Sequence, residues 1–195
     1  MQGDSVNLSP DYVARMWLTE RARFSYLSKG KHTINMRGMA SMTLNIIQRY
    51  GLEPFDAYPN YNGVNYNVMA RTATQIARAA TSFDILENRL DDALNHNIGY
   101  LPPTLFMFGV EYTPLEFAHS VCLPGEYEAL TSFSLHPFNQ KFVLETPDNQ
   151  LRDSFMNVPL DSMMNRIEQS LRNGHPVCWE GDISEPGFNT AAGCA

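Results

Sequence analysis

The side chains of this 195-residue chain that could do chemistry are three cysteines, five histidines and a few close carboxylates. A nucleophilic thiol needs a neighbouring base to take its proton, a third group to orient that base, and a donor for the oxyanion. Cys122 has His119 three residues before it, close enough for a local contact, but nothing nearby supplies an orienting carboxamide. Cys178, in PVCWEGD, reads as part of a buried strand, where a free thiol is inert. Cys194 stands one residue from the end and is expected to face solvent. Three cysteines are too few, and odd in number, for a disulfide framework. His32, His96, His136 and His175 fall in loops, turns and helix exits. No pair of histidines has the i, i+4 spacing of a zinc site, and neither HExxH nor CxxC occurs, so no metal and no cofactor is expected.

Carboxylate pairs are a second route to hydrolysis. Asp91 and Asp92 are adjacent and diverge on a helix, whereas Glu180 and Asp182 alternate onto one face of a strand; solvated faces and caps account for both. Phe106, Phe108 and Tyr112, with Met107 between them, could line an apolar pocket, although a hydrophobic core is the simpler reading. Ser41, Ser120 and Ser154 lie in no G-x-S-x-G elbow, and no phosphate-cradling glycine motif is present.

The elements that would position these groups are legible from spacing. Ser9, Pro10 and Asp11 open a helix that buries Tyr12, Val13, Met16 and Trp17, with Leu27 further along, and that ends near Gly30. A second helix carries Leu44, Ile46 and Ile47 inward, runs out at Tyr50 and is stopped by Gly51, for which a left-handed C-cap is expected. Pro54 and Pro59 then fix the chain on both sides of Phe55 and Tyr58, which reads as a rigid shelf. Residues 61–68 read as an ordered loop, and helical patterning returns over 68–80 and 83–95. Pro102 and Pro103 argue for a packed, irregular connection through 98–111. Thr113 and Glu116 form a capping box for a short helix over 115–120. Beyond Gly125, β-prone runs at 127–134 and 141–145 flank a turn at 147–149. A helix over 161–172 follows, with Met163, Met164, Ile167 and Leu171 on one face, and then a buried strand over 176–180.

The order of certain words carries a resemblance. Arg37-Gly38-Met39, a helix ending in IIQRYGL, and then EPFDAYPNYN resemble the papain-like cysteine peptidases, in which a Gly-Gly pair opens a helix that ends in a "YGL…EDAYPY" turn. ALTSFSLHPFNQKFVLETPDNQ and FMNVPLDSMMNRIEQSLRNGHPVCWEGDISEPGF resemble one branch of that family, the aminopeptidase C and bleomycin hydrolase group. The resemblance implies an α+β, papain-like cysteine proteinase fold, represented by its middle portion. Residues 1–122 would form the mainly helical half, with a helical insertion around 68–115. Residues 123–195 would begin the β-rich half with its first strands and a helix, the whole making one compact unit.

The resemblance also implies which residues meet substrate. Gly38 matches the second glycine, whose backbone pairs with an extended peptide, and Met39 and Ala40 match the pocket wall beside it. Arg37 departs from the pattern by replacing the first glycine, and a cation there would partly fill the groove or select an acidic ligand. Catalytic residues are not carried over, because the family's nucleophile helix and its His and Asn words do not occur in this sequence. Cys178-Trp179 is the family's nucleophile dipeptide by letters, but it aligns with a later core strand. The functional expectation is therefore a fragment or degenerate member of this peptidase group, catalytically incompetent alone. The alternatives are a cysteine aminopeptidase completed by a second chain or by flanking sequence, and a non-catalytic peptide-binding scaffold.

Charge and composition limit the partners. A net charge of −7, with scattered lysines and arginines, argues against nucleic acid. No run of eighteen apolar residues occurs and the N-terminus lacks a basic, then apolar leader pattern, so neither a membrane span nor a signal peptide is expected. A peptide, a second copy or a complementing chain are the partners left. The default compartment is cytoplasmic, with export the alternative if a leader precedes this sequence.

Overall fold

In the computed structural model, which describes residues 6–59, 63–123 and 125–181, the chain is a mixed α+β protein with six helices and five short strands among those residues. Asp182 and Cys194 lie outside the described residues, as does part of the loop expected over 61–68. The chain divides into two compact units, Met1–Ala129 with Val143–Ser154, and Leu130–Phe142 with Phe155–Ala195.

The first unit is built on α1 (Pro10–Leu27). Ser9 caps it by accepting a hydrogen bond from the Tyr12 N–H at 3.2 Å, Pro10 occupies the first turn, and Asp11 complements the positive helix end. The helix buries Tyr12, Met16, Trp17, Leu18 and Ala22, whereas Leu27, expected inside, is exposed because the helix ends there and the chain turns away through Gly30. Packed around it are α2 (Ala40–Tyr50), α3 (Tyr66–Ala79) and α4 (Phe83–Asn97), with α3 and α4 touching each other as well as α1. Small residues on α3, Ala70, Ala73 and Ala77, let it approach closely, and Leu86, Leu90 and Leu94 complete the core from α4 at i, i+4 spacing. On α2 the buried pair is Met42 and Ile46, one turn apart, while Leu44 and Ile47 are only half-buried.

Gly51 ends α2 with φ of 91° but ψ of −159°, which is not the left-handed cap expected. The cause is a close approach: a Cβ at Gly51 would lie 2.2 Å from the carbonyl carbon and oxygen of Pro114, and the Leu52 N–H donates to that same oxygen at 2.9 Å. Pro114 opens α5 (Pro114–Val121), whose capping box is as expected, with Thr113 and Glu116 exchanging hydrogen bonds.

Residues 98–111 are not an irregular connection throughout. β1 (Leu105–Met107) pairs antiparallel with β2 (Val110–Tyr112) through a two-residue turn, in which Phe108 and Gly109 both take positive φ, 51° and 79°. Phe106 and Phe108 stand in solvent, 73% and 60% exposed, so half of the aromatic cluster lies outside the core. Met107 and Tyr112 turn inward, the Tyr112 ring 6.1 Å from that of Phe117.

The second unit contains β3 (Leu130–Thr131), most of β4 (Gln140–Val143) and of β5 (Ser154–Asn157), and α6 (Leu160–Arg172). Sheet order is β3-β5-β4, with β3 parallel to β5. The β-prone run at 127–134 yields only two strand residues because Asn157 takes over the pairing. Its buried carboxamide accepts from the Phe133 N–H at 2.8 Å, and its amide donates to the carbonyls of Phe133, His136 and Pro137. The expected strand over 176–180 is open, exposed chain, with Cys178 exposed and Trp179 60% exposed. No residue of α6 is buried, and Leu160, Met164 and Leu171 face solvent.

Candidate peptide-binding site

Gly38, Met39 and Ala40 occupy the entry to α2. Ala40 is its first residue, Met39 its N-cap, and Gly38 the last residue of an extended approach. Gly38 is exposed, and its backbone N–H and C=O have no hydrogen-bond partner among the described residues. Its lack of a side chain follows from what lies beneath: a Cβ there would come within 3.3 Å of the Trp17 ring. Trp17 is itself fixed, buried on α1 with its indole N–H donating to the Asn35 carbonyl at 3.0 Å. The Gly38 backbone is thus an exposed, unpaired backbone unit, outside any strand, laid over a buried indole.

Met39 and Ala40 do not form a bare wall. Met39 is half-buried, its N–H directed at the Met42 sulfur at 3.4 Å and its own sulfur 3.7 Å from the Thr146 hydroxyl. That hydroxyl belongs to Val143–Ser154, which runs beside the start of α2 and is tied to it twice more. The Ser41 hydroxyl donates to Asp153 at 3.2 Å. Arg37 reaches Asp148 with two nitrogens, Nε at 2.8 Å and Nη2 at 3.1 Å. The cation in place of the first glycine is therefore neutralised by a carboxylate of its own chain, which accepts a hydrogen bond through Oδ2 alone, and is not offered to an acidic ligand. Asn149 shapes this segment, donating to the carbonyls of Leu144 and Asp153 and accepting from the Asp153 N–H. Sequence spacing identified the turn at 147–149 but could not show that it returns to residues 37–41, more than a hundred positions earlier.

The proline-flanked stretch after α2 is structural. Tyr58 is buried, accepts from Arg15 at 3.3 Å and donates to the Gly99 carbonyl at 2.9 Å. Arg15, also buried, donates further to Asp91 and Asn95, so Asp91 is spoken for, while Asp92 is exposed. Glu53 lies in the same region with no exposed surface and no hydrogen-bond partner for either carboxyl oxygen. Burial pushes it up to about 7, with Arg15 opposing the rise.

Neither of the two described thiols has an imidazole partner among the described residues. Cys122 follows α5 and donates weakly to the Leu123 carbonyl, while His119 is exposed on that helix. Burial, and then Glu126, push the Cys122 thiol up, which disfavours thiolate. Cys178 is exposed, contrary to the buried thiol expected of a strand. His32 lies tilted against Phe24 and His136 stacks on Phe142, with ring centroids 4.4 and 4.1 Å apart. Among the described residues no three His, Cys, Asp or Glu side chains gather where a metal could be held, and no helix is long and apolar enough to cross a membrane.

No family model matches the sequence, and no curated protein matches it. A solved structure does. The fold is similar to that of PepW from Lactobacillus rhamnosis HN001, with a TM-score of 0.56 and 15% identity, over 88% of this chain and 50% of that one. At that identity the likeness is one of fold, and the chain spans half the length of the structure it matches. It supports a papain-like arrangement over the shared part.

Proposed function

We propose that this chain is the peptide-gripping part of a papain-like cysteine peptidase of the aminopeptidase C and bleomycin hydrolase type, and that alone it binds extended peptides without cleaving them. The observation that carries this reading is the Gly38 backbone, exposed, unpaired among the described residues and backed by Trp17. An edge of this kind holds an extended chain by main-chain hydrogen bonds, the strand-addition mode of peptide recognition. The fold likeness to PepW, a bleomycin-hydrolase-like protein, agrees with it. The raised Cys122 thiol and the absence of the family's nucleophile, His and Asn words from these residues support the lack of cleavage.

Titrating blocked, extended peptides while following the Gly38 amide by NMR tests the binding half. Strand-like pairing predicts that N-methylating the peptide weakens binding at alternate positions. Binding without a shift at Gly38, or without that alternation, removes the reading. The catalytic half is tested with an epoxide thiol trap, which should label no cysteine faster than it labels free cysteine.

A second reading is a peptidase completed by another chain. It is favoured by α6, whose apolar residues Leu160, Met164 and Leu171 are exposed. Under this reading a complementing polypeptide would restore peptide cleavage to a chain that has none.

A further inference from the structure

We propose that the cleft running along α2 from Met42 to Arg49 is a pocket for a lysine or arginine side chain, an inference that rests on the peptide-binding reading above and names what the bound peptide carries. The cleft measures about 480 Å³, within the range of small-ligand sites. Its floor is apolar, made by Phe24 of α1, Met42 and Ile46 of α2, and Leu151 of the returning segment. Its charged rim is Glu20, Arg49 and Asp153.

The rim charges are not balanced. Arg49 is committed to Glu20 at 2.7 Å, and Glu20 also faces Arg23 at 3.6 Å. Asp153 has no cation among the described residues; its carboxylate has only the Ser41 hydroxyl, at 3.2 Å. The cleft therefore carries one uncompensated negative charge above an apolar floor. A long aliphatic stem ending in a cation matches both features, since lysine and arginine bury their methylenes and keep the charged head at a polar edge. A purely apolar side chain would leave the carboxylate unanswered, and an acidic one would oppose it. The cleft adjoins the open backbone edge: Met42, on its floor, lies 3.7 Å from where a Gly38 Cβ would be and accepts from the Met39 N–H. Asp153 is held from behind by Asn149, so its position does not depend on a ligand.

The test uses two probes on the whole chain. Blocked peptides with Lys, Leu or Glu at a single position are titrated against the wild type and Asp153→Asn, and N-acetyl-lysine N-methylamide alone is titrated while the Met42 methyl is followed by NMR. Lys peptides should bind about tenfold tighter than Leu peptides and lose that margin in Asp153→Asn, with Leu peptides unaffected. The single blocked lysine should shift the Met42 methyl in the wild type and fail to do so in the variant. Peptide binding with no Lys preference, or a preference that survives Asp153→Asn, overturns the pocket and leaves the peptide reading standing. A response to blocked lysine that needs Asp153, together with no binding of any longer peptide, keeps the pocket and removes that reading. No response to either probe overturns both.

Discussion

Replacing Glu53 with Gln should change how the protein's stability depends on pH, and the size of the change follows from where the carboxyl sits. Glu53 has no exposed surface, neither oxygen has a hydrogen-bond partner, and Arg15 already donates to Tyr58, Gly99, Asp91 and Asn95. The other titratable groups coupled to it, Tyr12 and Tyr58, offer no compensating positive charge. The carboxyl is thus raised from 4.5 to about 7, and at ~1.4 kcal/mol for each tenfold in the proton equilibrium this is about 3 kcal/mol. A group raised on folding is harmless below its unfolded value and costs stability as pH rises towards its folded one. The penalty should therefore build between pH 4.5 and 7 and be complete above 7. Glu53→Gln has no proton to lose, so it should outlast the wild type at pH 8 by up to about 3 kcal/mol and lose that advantage near pH 4. Urea unfolding followed by Trp17 fluorescence, in a Trp179→Phe background, measures both proteins at each pH. Parallel stability curves from pH 4 to 8 would refute the argument, because they would mean that Glu53 releases its proton equally easily in both states.

Other substitutions test the supports of the site. Gly51→Ala should cost about 3 kcal/mol or more in urea, because it adds a Cβ 2.2 Å from the Pro114 backbone at a φ of 91°. Asn157→Ala removes the partner of the Phe133 amide and of three carbonyls; about 2–3 kcal/mol of local stability should go, seen as faster hydrogen exchange at Phe133. Iodoacetamide at pH 7.5 should alkylate Cys178 well before Cys122, whose thiol is raised and half-buried, with peptide mass spectrometry giving the order.

Local signals were legible where a short stretch determines its own conformation. The Ser9-Pro10-Asp11 start and the Thr113 and Glu116 box both act within a turn, and each stands where spacing places it. Errors arose where distant chain decides. Gly51 looks like an ordinary helix stop, but its ψ answers to Pro114, and the apolar letters of α6 promise burial that nothing among the described residues supplies. The hairpin over 105–112 was hidden because its turn uses Phe108 at positive φ, where Asn or Asp is usual. The open backbone at Gly38 was marked by family resemblance rather than by physics, since no periodicity reveals that the indole of Trp17, ten residues before the end of α1, lies under it.

Arg37 shows how such a site can keep one feature while changing another. A cation beside a strand edge, free in solution, would favour acidic ligands. Here its fork is taken by Asp148, which costs little at this exposure, contributes at most about 1 kcal/mol, and cancels the local positive charge. What then sets ligand charge is a carboxylate without a counter-ion among the described residues, and that is Asp153, which accepts from the Ser41 hydroxyl in the first turn of α2. Arg37→Ala should free Asp148 and add a second negative charge near the groove, so it should strengthen the binding of lysine-bearing peptides and weaken that of glutamate-bearing ones. If Arg37 instead meets the ligand directly, the same substitution weakens acidic peptides alone and leaves the others unchanged, a distinction one titration series resolves.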